Sequence, residues 1–266
     1  MADFADGALS CDGFLGGRLR ILQPLRGYRA ATDPVLLAAS VPARPGEAVL
    51  ELGCGAGVAS LCLGARVPGL ALAGLELQPA YAALARRNAA GNSIAFEVYE
   101  GDLAHPPAPL RAREFDHVIA NPPFFPRGGG TRAADPGRET AQREETPLAL
   151  WIDRGLRRLR PGGHITLIQI AERLPDLLAP LAGRAGDITV LPVAARHGRP
   201  AGRVIVQARK GGRGPFRLLA PLILHEGATH ERDGDDHTEV ARALLRDGAA
   251  LCLQGGNGPA TFCRSS

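Results

Sequence analysis

The chain is poor in the features that define several protein classes. Its five cysteines (Cys11, Cys54, Cys62, Cys252 and Cys263) are odd in number, scattered, and include no CxxC pair. That argues against a disulfide framework and against a zinc site, and reduced thiols in a cytoplasm are the plain expectation. No apolar run approaches the roughly 18 residues a membrane span needs, and the opening MADFADGALSCDG is acidic, without a basic-then-apolar signal. A soluble, cytoplasmic protein with no membrane partner is expected. Lysine is nearly missing: Lys210 stands alone, so the net charge of +4 rests on arginine. Arginine's planar fork suits phosphate, but GC-rich coding would produce the same bias, so position says more than the total.

Two arginine runs contain no acid. Gly13 to Thr32 holds Arg18, Arg20, Arg26 and Arg29, and the stretch 196–217 holds six arginines, among them Arg196, Arg199 and Arg203, with Lys210 and His197. Together they could form a basic surface. No repeat and no long linker divides the 266 residues, and 45% apolar content is enough for a sizeable core. We expect residues 1–33 as an N-terminal extension of the core, 34–253 as one domain, and 254–266 as a frayed tail.

From residue 34 onward, short β-like runs alternate with helical patterns. Strands are expected at 48–52, 70–76, 95–99, 117–120, 164–170, 188–193 and 203–208, and helices near 57–66, 79–90, 147–159 and 171–181. A further helix should begin at TDPVLLAASV, capped by Thr32 or Asp33. Strand–helix alternation implies a mostly parallel sheet covered on both faces. The loop AARHGRPAG is too short for a crossover, so the last two strands should pair antiparallel. A short strand and a final helix are expected between Leu218 and Arg246.

The chemistry gathers at the strand ends. VLELGCGAG sets Gly53, Gly55 and Gly57 between an apolar strand and a helix, a turn that lets a ligand lie against the backbone near a helix N-terminus. Position 58 is Val58, so the dinucleotide fingerprint is not met. Glu76 ends the next strand, where a carboxylate can accept both ribose hydroxyls, and Asp102 follows the third as either a turn residue or an acceptor for an exocyclic amine. The fourth strand ends within FDHVIANPPFF, Phe115 to Phe125. Prolines fix the backbone and donate nothing, so Asn121, Pro122 and Pro123 hold a side-chain amide and a carbonyl in one direction, a rigid acceptor fork. Phe124 adds a flat surface for stacking. HEGATH carries two histidines, His225 and His230, that could not share a helix face, so no metal site is expected.

The run from Glu51 to Gly57, with Glu76 and Asp102, resembles the first motifs of class I S-adenosylmethionine-dependent methyltransferases, and NPPF resembles the fourth motif of those that act on amino groups. The resemblance implies a Rossmann-like α/β fold with a seven-stranded, mostly parallel sheet and an antiparallel last hairpin. It implies S-adenosylmethionine as cofactor, with Gly53, Gly55 and Gly57 beneath the methionine part and Glu51 anchoring its amino group. Glu76 would hold the ribose, and Asp102 and Leu103 the adenine. Asn121 and Pro122 would accept the two N–H bonds of a planar amine, turning its lone pair toward the sulfonium methyl, with Pro123 and Phe124 completing the turn. GGRLRILQPLRGYRAATDPVLLAA and the closing segments resemble bacterial tRNA(Val) (adenine-N6)-methyltransferases, over roughly residues 14–253. That implies an anticodon-loop adenosine of tRNA as substrate, a base already unpaired and easily splayed. HERDGDDHT departs from the shorter turn of that family. An NPP-aromatic motif also serves protein-glutamine N5-methylation, as of a release factor, and rRNA guanine-N2 methylation. The loop 126–146 balances four arginines against four acids and is assigned to gating or base enclosure.

Overall fold

The computed structural model describes residues 4–126, 143–144, 146–227 and 236–253. An N-terminal hairpin pairs β1 (Leu9–Phe14) with β2 (Leu19–Pro24). Then come α1 (Thr32–Ala39), β3 (Ala48–Leu52), α2 (Val58–Arg66), β4 (Ala71–Glu76), α3 (Pro79–Gly91), β5 (Phe96–Glu100), the single turn α4 (Ala108–Arg111) and β6 (Phe115–Ala120). The remainder comprises α5 (Leu148–Arg158), β7 (Leu159–Ile170), α6 (Leu174–Leu178), β8 (Ala185–Ala194), β9 (Ala201–Lys210) and α7 (Glu239–Leu245).

The sheet runs β5-β4-β3-β6-β7-β9-β8. Neighbours are parallel from β5 to β7, and β9 is antiparallel to both β7 and β8. These seven strands are the expected architecture, yet the sheet holds nine: Arg217–Leu218 and Leu222–Ile223 lie parallel along the outer edge of β8. Two-residue pairings carry no periodicity that a sequence could display. They cover an edge that would otherwise be open to another chain. The helix expected over 171–181 is instead three short pieces, 3-10, α and 3-10, because Pro175 and Pro180 each remove a helical N–H. β7 begins at Leu159, five residues ahead of expectation, because Leu159 already pairs with Phe115 before a register shift sets His164 against His117.

Both faces of the sheet are dry. Along β3, Val49 joins one core, with α1, α2 and the hairpin residues Leu19 and Ile21, while Leu50 and Leu52 join the other, with Phe115, Ile152 and Leu167. Alternation of successive side chains across a strand produces this division. Full burial of each such side chain contributes about 1.5–3 kcal/mol. On α5, Leu148, Ile152, Gly155 and Leu156 face the sheet, and a Cβ on Gly155 would meet Ile165 at 2.8 Å, so this helix lies unusually close to the strands.

Among the described residues, no helix is long and apolar enough to cross a membrane, and no cluster of three metal-ligating side chains occurs. Cys11, Cys54 and Cys62 are free thiols, but Cys252 is disulfide-bonded, which corrects the expectation of reduced thiols throughout. The expected tail 254–266 and most of the loop 126–146 lie outside the described residues.

Candidate active site

Strand order reverses at β3 and β6, and open α/β sheets place ligands at such a point. Leu52 pairs with Ala120, so Gly53 and Asn121 leave neighbouring strand ends side by side. Gly53, Gly55 and Gly57 all have positive φ, at 64°, 53° and 84°, a region that disfavours side chains. At Gly53 space is also missing: a Cβ would meet the Trp151 ring at 2.6 Å. Gly57 stands at the N-terminus of α2, set back from the cleft, where a Cβ would touch Phe96 at 3.0 Å. Its service is to helix–sheet packing, while Gly53 and Gly55 line the cleft.

Three carboxylates line the same cleft. Glu51 is 4% exposed and accepts from the Ser60 N–H at 3.0 Å and the Ser60 hydroxyl at 2.5 Å. Burial pushes its pKa up to about 8; the Ser60 bonds oppose this, and the nearby Glu76 charge adds to it. Glu76 accepts from the Gly55 N–H and the Gln78 N–H, each at 2.8 Å, and burial raises its pKa as well. Asp102 accepts from the Ala104 N–H at 2.8 Å, a local turn bond, and stands beside Leu103 on the cleft wall. A cationic ligand group reaching Glu51 would add to the two Ser60 bonds in offsetting the burial of its charge.

Asn121, Pro122, Pro123 and Phe124 follow β6 and also line the cleft. Gln169, which is fully buried on β7, donates through Nε2 to the Pro122 and Pro123 carbonyls, each at 3.2 Å, and accepts from the Ile170 N–H. This cross-brace fixes the turn. Two buried polar atoms of the cleft residues have no hydrogen-bond partner, Asn121 Oδ1 and Trp151 Nε1, one an acceptor and the other a donor. Buried polar groups are nearly always paired, so this acceptor and this donor are suited to bond a ligand group.

The hairpin forms part of the same wall. Asn88 accepts from the Leu22 N–H and donates to the carbonyls of Leu22 and Ala56, sewing β2 to the glycine loop. The Tyr28 N–H donates to the Tyr81 hydroxyl, which in turn donates to the Tyr28 carbonyl, and both rings line the cleft. Gln23 holds Ala30 in place through bonds in both directions.

The basic residues divide. Arg20, Arg26 and Arg199 are exposed. Arg18 is exposed too but donates to the Leu15 and Asp247 carbonyls, and Arg29 pairs with Asp12 at 2.7 Å. Arg196 and Arg203, expected at phosphates, are both engaged within the fold. Arg196 is buried and bonded to Asp236 and to the Glu226 and Gly227 carbonyls. Arg203 pairs with Asp33, so Asp33 does not cap α1, whose N-cap position is held by Ala31. Gln169, Trp151 and Asn88 escaped the sequence reading because isolated polar residues on helices and strands carry no motif.

The profile of the family described as methyltransferase small domain matches residues 31–175. The tRNA1(Val) (adenine(37)-N6)-methyltransferase of Dickeya chrysanthemi is 31% identical over 247 residues, covering 90% of this chain and 95% of that protein. An enzyme of the same name from Porphyromonas gingivalis is 34% identical over 158 residues, 56% of this chain and 61% of that one. Among solved structures, a predicted O-methyltransferase from Agrobacterium tumefaciens superposes with a TM-score of 0.65 at 26% identity, covering 81% of this chain and 95% of that chain. TYW2 of P. horikoshii in complex with MeSAdo reaches 0.53 at 14% identity, covering 77% and 72%, which is a likeness of fold. The family profile over more than half of the chain and the likeness to the Dickeya enzyme along nearly all of it agree: the chain belongs to the methyltransferase small domain family of class I S-adenosylmethionine-dependent methyltransferases.

Proposed function

We propose that this chain methylates N6 of an adenosine in tRNA, and that the adenosine is the one at the position named in its tRNA1(Val) relatives, beside the anticodon. The observation that carries the reading is the partnerless Asn121 Oδ1, next in the chain to the Pro122 carbonyl, which takes one bond from Gln169 and has a second lone pair to offer. An exocyclic NH₂ group offers two N–H bonds to such a pair. The likeness to the Dickeya enzyme along nearly the whole chain supports the choice of substrate.

The residues fit S-adenosylmethionine. Gly53 and Gly55 leave room for close approach, Glu51 suits the methionine ammonium, Glu76 the ribose hydroxyls, and Asp102 with Leu103 the adenine. When bound, S-adenosylmethionine supplies a methyl carbon made electrophilic by its positive sulfur. Adenine N6 is a weak nucleophile because its lone pair is delocalised into the ring. Asn121 Oδ1 and the Pro122 carbonyl accept its two hydrogens out of the ring plane, which localises that lone pair. No base is needed before attack, since the methylated nitrogen is cationic and then releases its proton readily.

Incubating the protein with labelled cofactor and with total RNA, DNA and protein from cells lacking the enzyme tests the reading. Label should appear as N6-methyladenosine in tRNA. Label in a protein amide or in rRNA N2-methylguanosine, with tRNA unlabelled, would overturn the substrate. Asn121→Ala should leave cofactor affinity near normal and lower kcat by about 2–3 orders of magnitude; equal loss of both would assign Asn121 to folding.

A further inference from the structure

The arginine that the sequence pointed toward phosphate turns instead toward the base-stacking ring. The guanidinium carbon of Arg203 lies 4.5 Å from the centre of the Phe124 ring, within the range of cation–π attraction. Its Nε donates to the Asp33 carboxylate at 2.9 Å, and Nη1 donates to the Gly202 carbonyl at 3.0 Å. The three side chains come from separate elements: Phe124 from the turn after β6, Arg203 from the start of β9, and Asp33 from the first turn of α1. Asp33 and Arg203 are partly withdrawn from solvent, with side-chain exposures of 18% and 33%. An ion pair of that exposure adds little stability by itself. It does fix where the guanidinium sits.

A planar ring has two faces, and the guanidinium covers one of them. While the contact holds, a base can stack only on the other. Arg203 pairs with Ile170 across β7 and β9, and the next pair is Val204 with Gln169. The same strand pair therefore holds the carbonyls of the NPPF turn through Gln169 and its ring through Arg203.

We propose that Arg203, oriented by Asp33, is a positioning residue that fixes the plane of Phe124 and leaves one ring face for the target base. The proposal rests on the adenine-methylation reading, because it requires a flat substrate group.

The test is a double-mutant cycle of Arg203→Ala and Phe124→Leu, with Arg203→Lys and Asp33→Asn added, using an in vitro transcript of tRNA1(Val) as substrate. Arg203→Ala should lower kcat about 10–50-fold, with KM for the transcript within about threefold of wild type and an unchanged salt dependence of binding. Arg203→Lys should recover part of the loss, and Asp33→Asn should show a smaller loss of the same kind. In the Phe124→Leu background, Arg203→Ala should add less than about twofold. A raised KM with kcat intact, and a salt slope reduced by about one, would make Arg203 a phosphate contact and overturn the proposal. So would equal effects of Arg203→Ala in both backgrounds. If the wild-type protein methylates no tRNA, the adenine reading fails separately, and thermal unfolding of the same four proteins decides the clamp. Non-additive midpoints support it and additive ones overturn it.

Discussion

Gln169→Leu removes the amide that ties β7 to the NPPF turn while keeping a similar volume in a fully buried site. Two donated bonds to the Pro122 and Pro123 carbonyls and one accepted bond from Ile170 are lost together. Each such bond contributes about 0.5–1.5 kcal/mol net, and a buried group left unpaired costs about 1–3 kcal/mol, so a loss of about 2–4 kcal/mol is expected. The functional effect follows from position. The Pro122 carbonyl is half of the proposed acceptor fork, and a displacement of about 1 Å at a reacting centre can cost about 100-fold in rate. We therefore expect kcat to fall about 100-fold while cofactor affinity stays within about threefold, because Glu51 and Glu76 keep their own partners. Gln169→Glu should be as impaired at neutral pH, since its carboxylate would face two carbonyl oxygens. It should partly recover on acidification, when the protonated carboxyl can donate to one of them. Steady-state kinetics, cofactor titration and urea unfolding would be measured on the same samples. If stability drops by the expected amount but kcat stays within threefold of wild type, the brace has no part in positioning and the reasoning fails.

Three further outcomes follow from the geometry. Folded Glu51 keeps its proton up to about pH 8, whereas an unfolded glutamic acid loses it near 4.5, so the ligand-free protein should lose stability as pH rises between those values. The slope is at most about 1.4 kcal/mol per pH unit from this residue, and Glu51→Gln should reduce but not abolish it, because the raised Glu76 acts with the same sign; identical slopes in urea unfolding from pH 5 to 8 would contradict the assignment. Trp151 is the chain's one tryptophan, and its buried Nε1 has no partner, so cofactor binding should move both its emission and its indole N–H resonance; a spectrum unmoved at saturation would place the ligand elsewhere. Arg26→Ala and Arg199→Ala, at exposed positions, should each weaken tRNA binding and reduce the salt slope by about one, whereas Arg196→Ala, which breaks a largely buried ion pair, should instead lower stability by about 3 kcal/mol. Salt-dependent binding and thermal unfolding separate these effects.

What could be read from the sequence was whatever repeats or follows a rule of backbone geometry. The β3 run and the glycine turn behind it announce themselves, because apolar alternation and positive φ each restrict residue choice locally. The NPPF turn is legible for the same reason, since two prolines permit few backbones. Illegible were the contacts made across the sheet. Gln169 sits between Ile168 and Ile170 as an isolated polar letter, and its role exists only because β6 and β7 are neighbours. Arg203 belongs to a basic run that reads as surface, and only the packing of α1 beside β9 sets Asp33 against it. Gly57 carries the family's spacing but serves helix packing, a distinction visible only once Phe96 of β5 lies against it.

The order of emergence during synthesis gives the late strand pair a further meaning. Glu51, Gly53, Glu76, Asp102 and Leu103 are all made by residue 103, whereas Gln169 and Arg203 follow 66 and 100 residues later. A growing chain could thus assemble a donor-binding cradle well before it owns a working transfer centre. Methylation competence would be withheld from nascent and prematurely terminated chains until the antiparallel hairpin closes the sheet.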